Sequence, residues 1–118
     1  MGAHSLVVTS EGTTASEAYE NAYESAMAEF GHQQGYSGTV TTFDGFKEIL
    51  APRGLQAKTK AKAIRRIFGF GLTEKEERKF AKAGFNVDQI RNAGAKWGPV
   101  AMMRLNKNTF VLWGYAAS

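Results

Sequence analysis

The chain has 118 residues, 43% of them apolar and 22% charged, and a formal net charge of +4. This suits one folded domain with a modest core and argues against global disorder. With no cysteine in the chain, disulfides, thiolate chemistry, iron–sulfur centres and cysteine-ligated zinc are excluded, and no apolar run nears the length of a membrane span. No basic-then-apolar leader opens the sequence, so a soluble, unprocessed, cytoplasmic protein is the expectation.

The first element is a strand candidate at Ser5–Thr9, centred on Leu6, Val7 and Val8. Ser10-Glu11-Gly12 turns the chain into a helix over Thr14–Phe30, whose apolar positions recur at steps of three and four. Thr14 suits the cap, with Glu17 three residues on to return a carboxylate to the cap amide, and Gly31 is placed to end the helix. A glycine-punctuated polar loop, His32 to Thr39, leads into a threonine-rich strand candidate at Gly38–Phe43. Asp44-Gly45 makes a turn, and Phe46, Ile49 and Leu50 have the spacing of a short helix closed by Pro52.

The centre is helical and basic. From Gln56 to Phe68 the inward stripe is Ala57, Ala61, Ile64, Ile67 and Phe68. Thr73 with Glu76 forms a capping-box signature for a helix ending near Gly84-Phe85, and Asn86 with Gln89 starts a last short helix stopped by Gly94. Pro99–Leu105 and Thr109–Tyr115 flank Asn106-Lys107-Asn108 as an antiparallel hairpin. Both sides of the second arm are largely apolar, which places it centrally in a sheet and also allows a homodimer. The order predicts an α+β fold: a two-layer domain with a mainly antiparallel sheet, one long amphipathic helix and two or three shorter helices.

Charge divides sharply along the chain. Residues 1–50 carry seven acids and one base, and residues 51–118 carry fourteen bases and four acids. Arg53, Lys58, Lys60, Lys62, Arg65 and Arg66 crowd into fourteen residues. Such density suits phosphate through Coulomb attraction, counterion release and paired guanidinium hydrogen bonds, so these residues are the expected nucleic-acid contacts, with Trp97 a possible stacking residue. The same residues also fit the solvated side of an ordinary helix. The two central helices have the spacing of a helix-turn-helix, but the second opens Glu74-Lys75-Glu76-Glu77 and would turn carboxylates toward a major groove. Phe110, Trp113 and Tyr115 would stack bases only if exposed, and alternate aromatics in a strand are more often core.

Two other readings stand beside this one. Glu17, Glu20 and Glu24 form a carboxylate row on the first helix that suits a basic protein surface, as an inhibitor acting by contacts alone would use. His32, with Tyr36, Ser37 and Thr39 near it, offers an acid–base group for a small enzyme, though no carboxylate stands at a telling spacing to orient it. Two histidines in no ligand pattern make a metal site unexpected, and no cofactor motif is present.

Ala18-Tyr19-Glu20 through Glu29, Gly35-Tyr36-Ser37-Gly38-Thr39-Val40, and Lys96-Trp97-Gly98-Pro99 to Trp113-Gly114-Tyr115-Ala116 resemble small accessory proteins of phages and mobile genetic elements. The resemblance covers both ends and leaves the basic centre unmatched. It implies a small binding protein that helps its element or interferes with host defence, and it transfers no residue role. The expected function is therefore non-enzymatic binding of DNA, RNA or a nucleoprotein complex, with a protein target as the alternative.

Overall fold

The computed structural model describes residues 3–30, 43–69, 72–94 and 98–117. Its elements are β1 (Ala3–Glu11), α1 (Ala15–Phe30), β2 (Phe46–Glu48), α2 (Ala57–Phe68), α3 (Glu74–Ala83), α4 (Val87–Asn92), β3 (Val100–Asn106) and β4 (Thr109–Ala117). The strands form one sheet in the order β1-β4-β3-β2. β4 is antiparallel to both β1 and β3, while β2 runs parallel to β3. The mainly antiparallel α+β architecture is thus the one expected from the sequence, with β4 central.

Alternation along β4 sorts the core. Phe110, Leu112 and Ala116 join Val100 and Met102 of β3 in a cluster with Ala15 and Ala18 of α1, which is the layer pair of helix on sheet. Val111 and Trp113 join Ala101, Met103 and Leu105 in a second cluster with Ile64, Ile67 and Phe68 of α2 and Ile90 of α4. The short helices therefore cover the opposite face, and a strand buried on both sides must be apolar on both sides. The indole of Trp113 donates to the Ile90 carbonyl at 3.0 Å, tying α4 to the sheet.

α1 is seated by its alanines and by polar clamps. The Ser10 hydroxyl donates to the Ala18 carbonyl at 2.7 Å, and the Asn21 amide donates to the Glu11 carbonyl at 2.8 Å. Thr14 Oγ1 accepts from the Glu17 amide at 3.1 Å, as expected of a cap. The Glu17 carboxylate accepts from Thr13 at 3.0 Å, one residue before the cap amide that the sequence suggested.

The short helix expected over Phe46–Leu50 is a strand instead. β2 pairs Phe46, Lys47 and Glu48 with Val100, Ala101 and Met102, and Ile49 N–H donates to Met102 O at 2.7 Å. A spacing of three would put Phe46 and Ile49 on one helix face; the strand sends them to opposite faces. Phe46 lies 5.3 Å from the Tyr19 ring under α1, and Ile49 is buried among α2–α4. The segment is too short for periodicity to arbitrate, and pairing to a distant strand decides it. The strand expected at Gly38–Phe43 lies outside the described residues except for Phe43, which is buried in the α1 cluster. No helix among the described residues is long and apolar enough to cross a membrane.

Candidate nucleic-acid interface

α2 starts at an extended Gln56 and ends at Gly69. Its buried residues are Lys60, Ala63, Ile64, Ile67 and Phe68, so the helix has one apolar edge and the charges divide around the remainder. Lys58, Lys62 and Arg65 are exposed. They fall within one stripe, because steps of four and three nearly complete whole turns. Lys60 leaves this group: it is 8% exposed and lies on the buried edge, four residues before Ile64. Burial, aided by the Arg104 charge, lowers its pKa. The phosphate contact expected of Lys60 therefore has no open surface to use.

α3 packs against α4 and faces α2 across a groove. Thr73 caps α3 in a reciprocal box with Glu76, and Gly84 closes it in the left-handed conformation at φ 108°. Phe85 then meets Phe80 edge to face, with ring centres 6.0 Å apart. None of its residues is fully buried; instead it is pinned by ion pairs. Arg66 donates to Glu76 through Nε at 2.5 Å and through Nη2 at 2.6 Å, a two-pronged bridge from α2 to α3. The pair raises the pKa of Arg66 and holds the Glu76 carboxyl down at about 2. Glu77 reaches Arg91 of α4 at 3.3 Å. Glu76 and Glu77 are thus engaged within the fold, while Glu74 stays exposed 3.8 Å from Arg78 of the same helix, and all three carboxylates lie at the positive end of α3.

Between α2 and α3 runs a groove of about 860 Å³. Leu55, Ala63, Phe80, Ala83 and Phe85 give it an apolar lining, and Lys58, Lys62, Arg65, Arg66 and Lys79 stand around it with Glu76 the sole carboxylate. Lys58, Lys62, Arg65 and Lys79 enter no ion pair among the described residues. Lys58 to Arg65 spans about 10 Å at the helical rise. Nothing in the sequence of α3 alone marked Lys79 and Phe80 as part of this site; the signal available was Phe80 as the one aromatic in a charged helix.

The other sequence candidates scatter. Arg53 is exposed in the turn before α2, outside the groove lining. Trp97 and His32, with Tyr36, Ser37 and Thr39, lie outside the described residues. Phe110 and Trp113 are fully buried, and Tyr115 is half-buried with its ring 5.0 Å from Phe68, so the hairpin aromatics are core. Glu17, Glu20 and Glu24 are exposed on α1, on the other side of the sheet from α2, with Glu17 committed to the Thr13 amide. Among the described residues no group of three or more histidines and carboxylates is gathered to hold a metal.

Comparison of the chain with protein-family models, with curated proteins and with solved structures finds no match in any of the three. The class of protein therefore rests on the fold and the groove: an α+β domain whose second and third helices border a basic, apolar-lined cleft.

Proposed function

We propose that the protein is a non-enzymatic nucleic-acid-binding protein of the cytoplasm, with Lys58, Lys62, Arg65 and Lys79 engaging phosphates along the α2–α3 groove and Arg53 adding long-range attraction. The observation that carries this reading is the set of four cations that line one groove and enter no ion pair among the described residues. Arg66 is engaged by Glu76 within the fold, whereas these four exposed cations keep their charge open to an external anion, with an attraction that salt screens.

The test is a salt series with a labelled oligonucleotide. Four phosphate contacts give a slope of log affinity on log salt of roughly −3, or about 50-fold between 50 and 200 mM salt. Replacing Lys58, Lys62 and Arg65 together by alanine flattens that slope by about 2, while Lys60→Met leaves it unchanged. A wild-type protein that binds no nucleic acid at low salt overturns the proposal, and the exposed carboxylates Glu20 and Glu24 of α1 then become the first surface to probe for a protein partner.

A further inference from the structure

Phosphates suit the rim of the groove and have no use for its lining, where Leu55 and Phe80 pack against the core yet stay partly open. Leu55, Phe80 and Ala83 present apolar surface between two banks of cations, and Phe80 is only half-buried against Phe85. A duplex offers an aromatic ring no base face, because its bases are stacked on one another and present only their edges in the grooves. A single strand can turn a base away from its backbone, and every base has an apolar π-face that an aromatic ring accepts. The cations are arranged to suit this: Lys58, Lys62 and Arg65 line one bank on α2, and Lys79 stands on α3. A backbone running along α2 would therefore keep its phosphates on the rim while a base reaches across to Phe80. The Arg66–Glu76 bridge fixes the two helices relative to each other, so the cleft is present before the strand arrives.

We infer that the groove selects single-stranded over duplex nucleic acid by seating an unstacked base against Phe80. This rests on the phosphate-binding reading and specifies its ligand.

The experiment compares, with the whole protein at one salt concentration, a labelled twelve-nucleotide single strand, its duplex, and the same single strand with abasic sites at its four central positions, in DNA and RNA versions. The expected result is binding of the intact single strand roughly 10-fold tighter than either the duplex or the abasic strand, the scale of one base–aromatic stack, with the abasic strand keeping the full salt slope. Phe80→Leu, which retains apolar bulk without the ring, lowers affinity for the intact strand to the abasic level and changes abasic binding little; circular dichroism checks its fold. The abasic comparison uses unaltered protein, so the inference is tested even where that variant fails to fold. Equal binding of all three ligands with a steep salt slope overturns base seating and leaves phosphate binding in place. Binding of none of them at low salt overturns both.

Discussion

The site depends on a scaffold whose tightest point is a crossing of two glycines, and Gly94→Ala tests it. Gly94 follows α4 at φ 73°, a left-handed conformation, and its carbonyl accepts from Tyr115 N–H at 2.7 Å. A methyl group there would lie 2.6 Å from the Trp113 carbonyl oxygen and closer still to Gly114 Cα. Gly114 has no slack to yield, since its own open side is filled by the Phe43 ring and the Gly94 carbonyl, 2.7 and 2.8 Å from where a Cβ would stand. The left-handed backbone costs alanine about 1 kcal/mol. Displacing the central strand adds about 1–3 kcal/mol, for a loss of about 2–4 kcal/mol. Gly54→Ala is the control, because Gly54 has φ 80° and no heavy atom within 4 Å of the added methyl; it meets only the conformational cost. Urea denaturation of the two variants, with thermal melting in parallel, isolates the crossing as their difference. At about 4 °C per kcal/mol, Gly94→Ala melts roughly 8–16 °C below the parent protein. A loss no larger than that of Gly54→Ala would refute the close approach.

Two further outcomes follow from the charges. The Glu76 carboxyl, held at about 2 against an ordinary 4.5 chiefly by its hydrogen bonds from Arg66, contributes stability that is complete above pH 4.5 and is lost as pH falls toward 2. Glu76→Gln should remove that part of the acid profile of unfolding, and a profile identical to the parent's would show the bridge to be without thermodynamic weight. Lys60 is lowered by burial, so its charge is a cost at neutral pH that is relieved as pH rises toward 10.5. Lys60→Met should stabilise the protein by about 1 kcal/mol at pH 7 and leave nucleic-acid affinity unaltered; destabilisation would mean that the ammonium is well satisfied where it lies.

What was legible in the sequence was what is local. The Thr14, Thr73 and Asn86 caps, the Gly84-Phe85 stop and the hairpin are each written within a few adjacent residues, and each forms as read except that Glu17 returns its carboxylate to Thr13 rather than to the Thr14 amide. β2 was illegible because its three residues are fixed by hydrogen bonds to β3 more than fifty positions away. The groove lies between these cases. Its α2 cations were visible as a cluster, and the burial of Lys60 was readable too, since it sits four and seven residues before Ile64 and Ile67. Lys79 and Phe80 entered the site only through the placement of α3, and the Arg66–Glu76 bridge that contributes to that placement joins residues ten positions apart.

That placement bears on how binding should respond to salt. α3 buries no residue fully and is held by Phe80, by Arg66–Glu76 and by Arg91–Glu77, so part of its seating is electrostatic. Screening consequently acts in two places: on the phosphate contacts of α2, and more weakly on the half-exposed bridges that keep the far bank of the groove in position. A duplex held only by the rim feels the first effect, whereas a strand that also seats a base against Phe80 feels both. The Lys58, Lys62 and Arg65 triple alanine variant separates them. It removes three phosphate contacts and leaves both bridges intact, so the salt dependence that survives in it beyond the contributions of Lys79 and Arg53 reports how firmly α3 is seated.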